Sequence, residues 1–384
     1  MTPRVRGLLL ALLATACESA PAATDANVRD TGDASADVSV DAGPALLADL
    51  RCGAPTPWAE PLRDYLAAGE RASMSGNFLR AVQDLAVFED RLYLGYGDAN
   101  INLGRVTPIE FRAFTDDARP EATAEFRSDE EQLEQYRLLD GDLWLAGVDA
   151  AEDDWIGNVY VRPRAGSDGG SAWVKRRTVP GGVHVHDVAW WRGALWAVGS
   201  GSAREEWMRG DIYGHLWRSD DRGRTFTVAA RHHNMGAGDA RLVRMLPLAD
   251  AMLLFGYRSD AMGRTTIVNL SWDGTSASPL PMGHPLRAVF MLETALLPGG
   301  NGFARGVTNV PGVQGLVHRA FRVATNGTVT PIAHLQGRTV LDVNVYAATG
   351  EVLVLSADGD EYAGAPWVWS MRLEVTRDFE RFTE

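Results

Sequence analysis

The sequence predicts an all-β chain folded as a β-propeller of about six four-stranded blades, and three observations carry that expectation. One pattern recurs: an apolar segment, a tight turn, then a second apolar segment often ending in Gly, as in "DLAVFEDRLYLGYG", "QYRLLDGDLWLAG", "DVAWWRGALWAVG" and "VRMLPLADAMLLFG". Strand pairs joined by tight turns are hairpins. The second segments start at Leu92, Leu143, Leu195, Met252, Phe303 and Val352, at intervals of 51, 52, 57, 51 and 49 residues. After each marker come a longer loop and another hairpin, at 106–126, 157–179, 214–230, 265–281, 316–335 and 366–382. Repeats of about fifty residues with four strands each suit radial closure, which protects nearly all strand edges. Residues 79–384 are 306 residues, or 51 for each of six units. The fifth unit is the least regular, because "LETALLPGGNGF" replaces a clean turn, so five or seven blades stay open.

The segments ahead of the repeats read differently. Arg4 and Arg6 precede a short apolar run, Leu8 to Ala16, that ends at Cys17. A charged start and a run about half the length of a membrane span describe a secretory signal peptide. "LATAC", residues 13–17, resembles a bacterial lipobox. That resemblance implies diacylation of Cys17, and two acyl chains anchor a protein stably. The competing reading is an ordinary signal peptide with an incidental cysteine. Glu18 would then be the second mature residue, which by the same resemblance sends the chain to the outer membrane of a Gram-negative bacterium.

Residues 18–45 are mostly Ala, Asp, Ser, Thr and Gly with no aromatic side chain and few large apolar ones, and such a segment cannot bury a core. As an acidic tether it would reach about 30 Å. Residues 46–78 form a lead-in, with a short helix expected after Pro61, and the propeller occupies 79–384.

The formal charge is −13, and loss of the two leader arginines makes it −15. An acidic chain has no overall attraction for nucleic acid or anionic lipid, so the membrane is expected as a partner only through the anchor. There are two cysteines, so lipidation of Cys17 leaves Cys52 as a lone thiol. The expected state is monomeric.

One stretch looks catalytic and is read as structural. "SDDRGRTF", 219–226, places Ser219, Asp221, Gly223, Thr225 and Phe226 on the turn between the third and fourth strands of the third unit. Ser and Asp side chains there accept from turn amides, Gly supplies positive φ, and the aromatic packs between strands. The spacing resembles the Asp box, or BNR repeat, of sialidase-like propellers. In those families the box lies away from the active site, so the resemblance implies the fold and leaves the catalytic residues unassigned. The sialidase Arg-Ile-Pro motif does not occur, and Arg209, Arg244 and Arg258 are assigned to a substrate clamp by no motif.

In a four-stranded meander the second connections and the inter-blade links share one face. Here the second connections are the long and polar ones, as in "GSAREEWMRGDIYG" and "SADGDEYAGAPW". A mouth of loops on a rigid scaffold is the default place for function. The ligand-binding candidates on it are Trp207, Arg209, Asp211, Tyr213, Tyr257, Arg258 and Tyr362, an aromatic and charged mixture suited to sugars or to a protein partner.

His184 and His186 stand two apart, share a strand face and are the metal candidates, though a site needs a third ligand. No cofactor is certain. Asp84, Asp187 and Asp342, on the innermost strands, suit Ca²⁺ or another divalent ion, or else satisfy backbone groups of the neighbouring blade. The expected function is binding of a glycan or cell-surface protein. The alternative is a sialidase-like or other glycoside hydrolase, for which acids such as Glu205, Glu206, Asp153 and Asp154 would serve.

Overall fold

The computed structural model describes most of residues 84–383 and a two-residue antiparallel pairing of Cys17–Glu18 with Arg51–Cys52. The leader, tether and lead-in otherwise lie outside the described residues, as do 98–108, 116–122, 150–154, 206–211, 233–238, 310–315 and 359–369.

The chain is all-β and forms six antiparallel sheets in chain order, each a meander of neighbouring strands. Blade 1 comprises Asp84–Phe88, Arg91–Gly95, Ile109–Thr115 and Thr123–Ser128. Blade 2 comprises Tyr136–Leu139, Asp142–Ala146, Ile156–Arg162 and Val174–Pro180. Blade 3 is Gly182–Trp191, Ala194–Ser202, Ile212–Ser219 and Thr227–His232. Blade 4 is Ala240–Pro247, Met252–Ser259, Thr265–Trp272 and Ala277–Pro279. Blade 5 is Phe290–Leu296, Gly302–Asn309, Leu316–Val323 and Val329–Pro331. Blade 6 is Thr339–Tyr346, Glu351–Asp358 and Ser370–Thr376, with Thr383 bridging Val375 at the fourth-strand position.

The expected turns have the expected chemistry. Asp140-Gly141 and Arg192-Gly193 all take positive φ, the two-residue hairpin geometry whose twist matches the strands it joins. In blade 5 the irregular turn is a short 3₁₀ segment, Pro298–Gly300, where Gly299 and Gly300 have φ of 77° and 76°.

Burial explains the alternation within the strands. Five apolar clusters fill the interfaces between consecutive blades, from 1–2 through 5–6. Trp144, Trp217, Tyr93 and Phe303 are among the largest fully buried side chains. At the closing seam the first strands of blades 6 and 1 lie side by side.

The glycines that close the apolar part of the second strands in blades 3 and 4 have a steric reason. A Cβ on Gly199 would stand 1.9 Å from the His184 carbonyl oxygen, and one on Gly256 would stand 2.1 Å from that of Arg241. The first strand bends across its partner there. In blades 3 to 6 a register shift follows, leaving His186, Val243, Leu292 and Leu341 as the extra residue. Such bulges re-aim the side chain that comes after them. Those side chains are Asp187, Arg244, Glu293 and Asp342, and all four are buried.

Candidate functional site

The bulges gather a charged network around the propeller axis. Asp84 accepts from the Tyr136 amide at 2.6 Å, Asp187 from the Met245 amide at 2.8 Å, and Glu293 from the Val343 amide at 3.3 Å. Each of these carboxylates satisfies the backbone of the next blade. Arg137 makes a two-pronged ion pair with Asp187, Nε–Oδ1 at 2.8 Å and Nη2–Oδ2 at 2.7 Å. The same guanidinium donates to the Thr294 carbonyl and, at 2.8 Å, to the Thr294 hydroxyl, so blades 2 and 5 meet across the ring. Arg305 pairs with Glu293 at 2.5 Å and donates to the Leu341 carbonyl at 3.0 Å. Asp84 and Asp187 thus take up the backbone-satisfying role, whereas Asp342 accepts from the Val343 amide and the Asn344 side chain of its own strand.

Electrostatics in this network follow from burial. Burial pushes the Asp84 carboxyl up to about 7, aided by the Glu293 charge and opposed by the Tyr136 amide and Arg137. Asp342 is raised well above its ordinary value by burial and then by the charges of Asp84 and Glu293. Burial would raise Glu134 also, but Arg244 and His186 outweigh it and bring it down to about 2. Arg244 reaches Glu134 at 2.6 Å and the Leu292 carbonyl at 3.0 Å.

A second cluster sits where three strand ends meet on the face of the second and inter-blade connections. Single bridges run from Gly97 to Gln132, from Gln132 to Val148 and from Val148 to His184, tying the ends of blades 1, 2 and 3 together. They bring Glu131, Asp149 and His184 together, one donor atom of each lying within 4.8 Å of the others. His184 Nε2 is 3.4 Å from Asp149 Oδ2, and the Ser200 hydroxyl lies 3.2 Å from His184 Nδ1. Burial pushes the His184 imidazole below its ordinary value, against the pull of Asp149.

The two expected metal ligands have different partners. The rings of His184 and His186 stack 5.8 Å apart, as two positions on one strand face should. His186 Nδ1, however, lies 3.3 Å from Glu134 Oε1, while His184 joins the two acids. Of the expected binding residues, Tyr213, Tyr257 and Arg258 are half-buried at strand ends on this face. Tyr257 packs on Phe290 with ring centres 5.7 Å apart. Trp207, Arg209, Asp211 and Tyr362 lie outside the described residues.

Sequence reasoning missed Glu131 and Glu134. No motif singles out "RSDEEQLEQY", in which Glu130 and Glu131 are buried in the link between blades 1 and 2. The 219–226 turn is held by side-chain hydrogen bonds. Gly223 donates to the Ser219 hydroxyl at 2.7 Å, and the Ser219 hydroxyl and the Thr225 amide both donate to Asp221 Oδ1 at 2.8 Å. Gly223 has φ 79°, and Phe226 packs with Trp144 and Trp217 in the core between blades 2 and 3.

No protein-family model matches the chain, and no curated protein does. Solved structures resemble it at low identity. An α-L-arabinanase of Penicillium chrysogenum, solved with arabinobiose, is 12% identical over 61% of this chain and 79% of its own, with a TM-score of 0.37. A PL25 ulvan lyase is 11% identical over 79% of this chain and 82% of its own, with a TM-score of 0.42. The β-propeller domain of the trilobed protease from Pyrococcus furiosus is 9% identical over 78% of this chain and 83% of its own, with a TM-score of 0.43. These values are too low to carry chemistry from one chain to another.

Proposed function

We propose that the protein is an exported, lipid-anchored propeller that binds a glycan or cell-surface protein through the face of its second and inter-blade connections. One observation supports this over hydrolysis: the axial acids are committed to framework. Asp84, Asp187, Glu293 and Glu134 each hold an amide or guanidinium of another blade. The half-buried Tyr213, Tyr257 and Arg258 at strand ends supply aromatic area and a cation to that face, a combination that sugars and protein hot spots share. The lipobox resemblance supports the anchor, with the tether holding the ring clear of the membrane.

The competing reading is a glycoside hydrolase, and Asp84 is the observation that favours it. A carboxyl brought up to about 7 has the protonation of a general acid. Its Oδ2, however, is taken by the Tyr136 amide, and the side chain is buried.

A glycan and surface-protein array run alongside a panel of fluorogenic glycosides separates the two. Binding predicts an array hit that weakens about tenfold to a hundredfold in Tyr213→Ala or Tyr257→Ala, the loss of stacking area worth roughly 1–3 kcal/mol, with no turnover. Turnover abolished by Asp84→Asn in folded protein would move the chain to the enzymes. Cys17→Ser should release it from membranes.

A further inference from the structure

We propose that Glu131, Asp149 and His184 form a binding site for a first-row divalent cation of the zinc type. The site lies at the junction of blades 1, 2 and 3 and is independent of which partner the rest of the face binds.

The donor set argues for it. One imidazole nitrogen and two carboxylates, each able to offer one atom, lie within 4.8 Å of one another. A tetrahedral ion with bonds of about 2.0–2.1 Å holds neighbouring donors about 3.3–3.4 Å apart. His184 Nε2 and Asp149 Oδ2 are 3.4 Å apart. Two carboxylates and a neutral imidazole balance a double positive charge, and the nitrogen donor favours zinc-class ions over calcium.

The frame around the donors is fixed in the way ligand sets need. Glu131, Asp149 and His184 stand beside or within the chain of bridges from Gln132 through Val148 to His184, so one short backbone ladder sets their spacing. Glu131 donates its amide to the Val148 carbonyl at 2.9 Å, and Asp149 its amide to the Val183 carbonyl at 3.2 Å. Ser200 engages the other imidazole nitrogen, the orienting contact that ligating histidines use. Glu131 and His184 are 2% and 5% exposed, while the Asp149 side chain is 21% exposed, so the site is walled on two sides and open on the third. Three protein donors leave a fourth position, and on the open side it would take an oxygen ligand such as a carboxylate or sugar hydroxyl.

The test uses the full chain, stripped with chelator and titrated with Zn²⁺, Mn²⁺ or Ca²⁺ alone. One equivalent of Zn²⁺ should bind and raise the melting temperature, as any ligand of the native state does. Asp149→Asn, chosen because it is isosteric and partly exposed, should keep the metal-free melting temperature and weaken Zn²⁺ binding at least tenfold. Glu131→Gln should do the same, and His186→Gln should bind as wild type. Four results would overturn the assignment: no stoichiometric uptake, uptake of Ca²⁺ without Zn²⁺, wild-type affinity in both carboxamide variants, or an equal loss in His186→Gln.

Discussion

Asp221 takes three short hydrogen bonds, from the Thr225 amide, the Thr225 hydroxyl and the Ser219 hydroxyl, at 2.7–2.8 Å. The Thr225 amide leads in bringing its carboxyl down to about 2, followed by the two hydroxyls. A carboxylate whose folded value lies below its unfolded one stabilises the fold above about pH 4 and loses that contribution as pH falls toward 2. Asp221→Ala should therefore melt earlier than wild type at pH 7, and the gap should close between pH 4 and pH 2. Partner binding by the folded variant should be intact, because the turn belongs to the opposite face from the loops. An unchanged melting temperature with lost binding would contradict this. Phe226, 6% exposed beneath the same turn, should cost about 3–5 kcal/mol as Phe226→Ala, read from urea unfolding.

Elements show the same division between what a sequence states locally and what it leaves to the ring. The hairpins were legible because Asp140-Gly141 and Arg192-Gly193 announce their turns and apolar segments flank them. The glycines of the second strands were visible in the repeat, but their cause was not: the first strand's carbonyl occupies the place of a Cβ. Gly256→Ala should then cost about 1–3 kcal/mol or more, because Arg241 backbone must move. Gly166→Ala has nothing within 4 Å and tests the cost of positive φ alone, which should be the smaller loss. The bulges were hidden because three of the extra residues, Val243, Leu292 and Leu341, are ordinary strand aliphatics and the fourth, His186, is not. Arg137 and Thr294 pair across 157 positions of chain, a separation that no local pattern encodes. Glu131 was hidden for another reason, since acids in a polar run look solvated until a neighbouring blade covers them.

Across the whole molecule, the seam between blades 6 and 1 has an electrostatic character of its own. Burial and then the Glu293 charge of blade 5 raise Asp84 on blade 1, and burial followed by the charges of Asp84 and Glu293 raises Asp342 on blade 6. Here the sign is opposite to that of Asp221. A carboxyl held above its unfolded value keeps its proton in the native state between about pH 4 and pH 7, so stability falls as pH rises through that window. Urea unfolding at pH 5 and pH 8 should show the loss, and Asp84→Asn should flatten it. Stability that climbs over that range, or an unaltered slope in the variant, would refute the account.

The amide acceptors also carry a rhythm. Asp84, Asp187 and Glu293 sit on blades 1, 3 and 5, and the amides they hold, those of Tyr136, Met245 and Val343, sit on blades 2, 4 and 6. Strand count makes the ring six-fold, while its axial amide bonds make it three-fold, a trimer of two-blade modules. A chain opened between modules, in the links after Pro180 or Pro279, leaves every one of these carboxylate–amide bonds inside a fragment, whereas a cut after Ser128, His232 or Pro331 divides one between two pieces. The two-blade module is thus the natural unit for fragment complementation and for lengthening or shortening the ring by recombination.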